Sequence, residues 1–144
     1  MMRKSILVEG DQNIVLSISL LDVLKQLGDT DTCSWKLLWL EATGRLIEGD
    51  ILDLEQKVNS SENGYIISFS ELMKLAESID QIIELVLIGS SDINTLRRYE
   101  SDEEMRSTCD YCIELVDSSY WEINSADNKF ITLLTNNIPG FREL

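Results

Sequence analysis

The apolar positions change their period along the chain, and those changes mark out its elements. Ile6-Leu7-Val8 and Ile14-Val15-Leu16-Ser17-Ile18 are β-prone runs separated by Gly10-Asp11-Gln12-Asn13, turn residues that predict a hairpin. Ser19 then precedes Leu20, Leu21, Val23, Leu24 and Leu27, with Gly28 behind them. A helix is therefore expected to start on a serine cap and stop at a glycine. Over residues 34–41, alternation puts Trp35, Leu37 and Trp39 on one face and Leu38 and Leu40 on the other. That is the pattern of a strand covered on both sides, closed by Gly44, with Trp35 and Trp39 read as core. Ile51, Leu54 and Val58 stand at helical spacing and predict a short helix over 50–58.

The sharpest local signal is Ser68-Phe69-Ser70-Glu71, where Ser68 as N-cap and Glu71 at N3 form a capping box, with Ile67 and Leu72 as a hydrophobic staple. The helix it opens should run from Phe69 to Ile79. The nearly continuous apolar run Ile82–Ile88, ended by Gly89-Ser90-Ser91, reads as the middle strand of a sheet. Residues 92–108 are polar and read as a surface loop with at most a helical turn at its start. Tyr111, Ile113 and Leu115 then alternate with Cys112, Glu114 and Val116, and Tyr120-Trp121-Glu122-Ile123 returns after Asp117-Ser118-Ser119 as a second hairpin. Ser125 is placed to cap a last helix carrying Phe130, Ile131, Leu133, Leu134 and Ile138, ended by Pro139-Gly140. Strands cluster in hairpins with no regular βαβ alternation. The expected fold is α+β, one domain over 1–144 with a mainly antiparallel mixed sheet and helices packed on one face.

Charge narrows the function. The chain has 144 residues, with 26 acidic and 12 basic side chains and a formal net charge of −14. The first 48 residues hold 5 basic and 7 acidic side chains, and the remaining two thirds hold 7 basic and 19 acidic. Such a field repels nucleic acid and anionic lipid and attracts cationic partners at salt-dependent rates. Histidine is absent, which excludes a Ser-His-Asp triad, a Cys-His pair and a His-ligated zinc. After Arg3-Lys4-Ser5 the apolar run is too short for a signal peptide, and no stretch reaches the 18–20 apolar residues or so that span a bilayer. With only Cys33, Cys109 and Cys112, an odd and sparse set, a reducing cytoplasm is the expected location.

The candidate chemistry is thin. Cys109-Asp110-Tyr111-Cys112 is a CxxC, but at the start of a strand its thiols would point to opposite faces and neither pair nor chelate. Asp29 with Asp31, or Asp50 with Asp53 and Glu55, imitate carboxylate pairs without EF-hand spacing, and no glycine-rich phosphate loop occurs. No catalytic residue, metal or other cofactor is expected. The constellation that stands out is Tyr99, Glu100, Asp102, Glu103 and Glu104 in the loop, with Glu114, Asp117, Tyr120 and Glu122 on the second hairpin. Aromatic anchors among carboxylates suit a surface that masks lysine- and arginine-rich protein.

A small, strongly acidic α+β chain without a catalytic set resembles the immunity proteins of bacterial polymorphic and contact-dependent toxin systems. The stretch Val116-Asp117-Ser118-Ser119-Tyr120-Trp121-Glu122-Ile123, followed by a polar turn and a C-terminal helix, is similar to the ending of small bacterial proteins encoded among such immunity genes. The resemblance implies a stoichiometric inhibitor that binds a cognate toxin domain, often a basic nuclease, and occludes its active site. It carries over no individual residue. Two other readings stand beside it: an adaptor or assembly subunit with a permanent partner, and a small enzyme using carboxylates or a thiol.

Overall fold

The computed structural model describes residues 3–9, 17–28, 32–44 and 49–143. One seven-stranded sheet runs through them, built from β1 (Lys4–Val8), β2 (Ser34–Gly44), β3 (Tyr65–Ile67), β4 (Ile79–Ser90), β5 (Tyr111–Val116), β6 (Tyr120–Ser125) and β7 (Arg142–Glu143). The strand order is β3-β2-β4-β5-β6-β1-β7, and every described pairing is antiparallel. With helices α1 (Leu20–Leu24), α2 (Ile51–Asn59), α3 (Phe69–Ser78), α4 (Asp102–Thr108) and α5 (Asn128–Asn137), the chain is α+β. β4 is the longest strand and lies inside the sheet as its apolar run predicts, although the fourth and middle position belongs to β5.

The helices begin where side chains satisfy their first N–H groups. Both bonds of the Ser68–Glu71 capping box form, and a second box joins Ser19 to Asp22. α1 is shorter than expected, ending at Leu24 in a tight turn well before Gly28. α5 starts on Asp127 rather than Ser125. The Asp127 carboxylate accepts from Phe130 N–H, while the Ser125 hydroxyl donates to Asp110 O and accepts from Asp127 N–H. The turn and most of the second strand expected over 10–18 lie outside the described residues; Ser17 and Ile18, its expected end, are described and are not in a strand, and β1 has β6 and β7 as its neighbours.

The main core fills one face of the sheet. Trp35, Leu37, Leu85, Leu87, Ile113, Leu115, Trp121 and Ile123 meet Leu24 of α1, Leu72 of α3 and Leu134 of α5 there. Each such side chain, fully buried, contributes about 1.5–3 kcal/mol. Gly89, expected to end β4, stays inside it opposite Trp35. A Cβ at Gly89 would lie 2.5 Å from the Trp35 ring, so the missing side chain makes room for the indole.

β2 departs from simple alternation. Its register against β4 runs Leu37↔Leu87 and then Trp39↔Val86, so Leu38 is an extra residue in a bulge. The bulge inverts the phase. Leu40 joins Trp35 and Leu37 in the main core, and Trp39, expected beside them, turns to the opposite face and stays half-buried. Beyond Leu37, where β3 no longer pairs with β2, α2 closes the strand edge. The Asn59 amide donates to Leu40 O and accepts from Leu40 N–H at 3.0 and 2.9 Å, and Glu55 accepts from Ala42 N–H at 2.7 Å. Asn59 thus stands in for a neighbouring strand and removes an open edge.

The segment 92–108 is more ordered than a loop. A short 3-10 turn (Ile93–Thr95) precedes α4, whose N-cap Ser101 accepts from Glu104 N–H. Three carboxylates in the first turn suit the positive end of a helix, which is why so polar a stretch is helical. α4 covers part of the sheet's other face. Among the described residues no helix is long and apolar enough to cross a membrane.

Candidate functional site

The sheet face opposite the main core carries the polar chemistry. Because directly paired residues point the same way, the register defines rows across it. One row is Lys36, Ile88, Cys112, Asn124 and Ser5. The next is Trp39, Val86, Glu114 and Glu122. The third holds Glu41 and Glu84 at one side and Val116 and Tyr120 at the other, and continuing the β4–β5 register one step past Leu85↔Leu115 sets Val116 beside Glu84.

α4 and the segment before it close the first row and half of the second. Leu96, Met105 and Cys109 pack with Leu38, Ile88 and Cys112. The buried Lys36 ammonium donates to Leu96 O at 2.8 Å and Asn63 O at 3.3 Å and so ties the segment down. Glu114 and Glu122 stand directly opposite each other, an arrangement that is unfavourable for two like charges. Arg106 of α4 resolves it. Its guanidinium donates to both Glu114 oxygens at 2.8 and 3.1 Å and lies 3.1 Å from Glu122 Oε2. Hydrogen bonding to Glu114 reinforces the Arg106 charge against the opposing effect of burial. Asn124 extends the network, donating to Glu122 at 3.2 Å and accepting from the Ser5 hydroxyl.

These contacts give the surroundings of several expected site residues. Glu114 is buried and Glu122 nearly so, both committed to Arg106, so neither offers a free carboxylate. Tyr99 packs on the Cys109 cluster, donates its hydroxyl to Thr95 O and lies under the Arg97 guanidinium at 4.2 Å. Burial pushes its pKa up to about 12, Cys109 adds to the rise and Arg97 opposes it. Glu104 pairs with Arg97 at 3.1 Å on the surface. Glu100, Asp102 and Glu103 are exposed, and Asp117 is exposed in the hairpin turn. Asp117 and the buried Ser118 take left-handed φ of 48° and 54°, and Ser118 N–H donates to Ile83 O at 2.7 Å, docking the turn on β4. Tyr120 is half-buried.

The thiols do not behave as an extended CxxC. Cys109 precedes β5 as the C-cap of α4, so it shares one apolar cluster with Cys112 instead of facing away from it. No disulfide joins the pair, and burial raises both pKa values. Among the described residues no three Cys, Asp or Glu side chains gather as metal ligands.

The rest of this face lies open. Trp39, Glu41, Glu84, Val116 and Tyr120 are half-buried, as is Val86, which packs on the edge of the cluster under α4. The Trp39 indole N–H donates to Glu41 Oε1 at 3.2 Å, and Glu41 stands directly opposite Glu84. No described cation neutralises that pair. Trp39, Glu41 and Glu84 are missing from the constellation expected from sequence: the bulge at Leu38 turns Trp39 and Glu41 to the face that carries Tyr120, and Glu84 sits within the apolar run of β4. Comparison with protein-family models, with curated proteins and with solved structures finds no match to this chain.

Proposed function

We propose that this chain is a non-catalytic acidic binding protein that holds a cationic protein partner, as a bacterial immunity protein neutralises a basic toxin domain, such as a nuclease, by occluding its active site. The observation that carries the reading is the cluster of exposed carboxylates at the start of α4. Glu100, Asp102 and Glu103 make no described ion pair, in a chain of net charge −14. They lie beside a sheet face whose half-buried Trp39 and Tyr120 supply aromatic area for a contact. Long-range charge sets how fast such a complex forms, and buried anchors set how slowly it parts.

Affinity capture from native lysate at low and then high salt tests it, followed by stopped-flow association of the retained polypeptide. The expected result is one basic polypeptide near one-to-one stoichiometry, with an association rate that falls about tenfold or more as salt rises. An association rate indifferent to ionic strength, or a retained partner that is not basic, overturns the reading.

A further inference from the structure

The two halves of the polar sheet face pose the same electrostatic problem and solve it differently. In the covered half, Glu114 and Glu122 oppose each other across β5 and β6, and Arg106 donates to the first while lying against the second. In the open half, Glu41 and Glu84 oppose each other across β2 and β4, flanked by Trp39 and Val86 in the next row. Among the described residues no side-chain hydrogen bond or ion pair reaches the Glu84 carboxylate, and the Glu41 carboxylate accepts from the Trp39 indole alone. Resting on the reading that the partner is cationic, we infer that the open half of this face is a receptor for an arginine side chain of that partner. The incoming guanidinium takes between Glu41 and Glu84 the part that Arg106 takes between Glu114 and Glu122.

The surroundings select arginine over lysine. A guanidinium is planar, presents its donors as a fork that fits two carboxylates, and stacks on aromatic rings, whereas an ammonium is a compact and strongly hydrated point charge. Trp39 beside Glu41 offers a ring for that stacking, while Val116, and Val86 at the edge of the apolar cluster under α4, give an apolar floor for the arginine stem. The Trp39 bond already orients Glu41, so one carboxylate is positioned before binding.

Isotope-labelled full-length protein titrated with the blocked tripeptide acetyl-Gly-Arg-Gly-amide, and in parallel with its lysine counterpart, tests the site by NMR. The expected result is saturable shifts of the Trp39 indole N–H and of the Glu41 and Glu84 amides, with the arginine peptide binding about threefold or more tighter than the lysine one. The double variant E41Q/E84Q, which keeps side-chain shape, should weaken binding about tenfold or more, while E62Q/E77Q, the same change of charge at exposed positions outside the proposed binding surface, leaves it unchanged. Equal affinity for both peptides, or binding indifferent to E41Q/E84Q, overturns the inference. Shifts centred on Asp102 and Glu103 overturn the site but leave the cationic-partner reading standing; no shift with either peptide up to its solubility limit counts against both.

Discussion

Glu114/Glu122 and Glu41/Glu84 are two pairs of directly opposed carboxylates on one face of one sheet, and among the described residues only the first has a cation of its own. The difference lies in what covers them. α4 brings Arg106 over β5 and β6, and the buried Lys36 helps hold the preceding segment on the sheet, so the first pair is part of the fold. Over the row of Glu41 and Glu84 no described cation arrives, and the second pair keeps its charge at a half-exposed surface. A protein that leaves like charges opposed beside an indole gives up some stability there, as binding sites commonly do.

Removing the covered pair's cation should have the largest effect. Arg106→Met leaves Glu114 buried and unpaired and should destabilise the fold by about 3 kcal/mol in urea denaturation. Adding Glu114→Leu and Glu122→Gln removes the stranded charges and should bring stability back to within about 1 kcal/mol of the parent, since apolar replacement of a buried pair is often near neutral. If the triple variant is no better than the single one, the network is not an electrostatic unit and the comparison between the two halves fails.

A milder perturbation loosens the cover itself. Ser101→Ala removes the cap of α4 and should cost about 1 kcal/mol. In the same variant Cys109 and Cys112 should react faster with iodoacetamide, whereas in the parent their burial and raised pKa values keep them slower than Cys33, as peptide mass spectrometry would show. In the open half the sign reverses. Glu84→Gln relieves the repulsion with Glu41 and should stabilise the isolated chain by about 0.5 kcal/mol, measured by the same denaturation.

The last effect is a pH dependence confined to the covered half. Burial holds the Tyr99 hydroxyl protonated up to about 12, above its ordinary value of 10.0. A raised folded-state pKa means that the contribution is fully present below pH 10.0 and is lost as pH climbs toward about 12. The stability difference between the parent and Tyr99→Phe should therefore be flat through neutral pH and shrink across that alkaline window. A difference that shrinks below pH 9 would place the tyrosine in a different environment.

Local chemistry made most of the fold legible. The Ser68 capping box, the β4 apolar run and the second hairpin depend on neighbours within a few residues; the box and the hairpin form close to their expected bounds, and the β4 strand forms around its run but extends from Ile79 to Ser90. What escaped depends on partners far along the chain. The helical character of 102–108 rests on an N-cap and on one buried apolar residue, Met105, too little for a periodic signal. The bulge at Leu38 inverts every later side chain of β2, and single-strand alternation cannot foresee it. The candidate site suffered for both reasons. Glu114 looked like a surface carboxylate because its partner lies on a helix read as a loop, and Trp39 looked like core because its phase was taken from before the bulge. The acidity of Glu100, Asp102 and Glu103 and the exposure of Asp117 needed no tertiary information.

The account rests on Glu41 and Glu84 serving recognition rather than folding, and the double variant E41Q/E84Q examined for both properties tests this most directly. Its isolated stability should equal or slightly exceed that of the parent, while its affinity for acetyl-Gly-Arg-Gly-amide falls about tenfold or more. A variant that is clearly less stable yet binds the peptide as well as the parent would make the open pair structural and contradict the account.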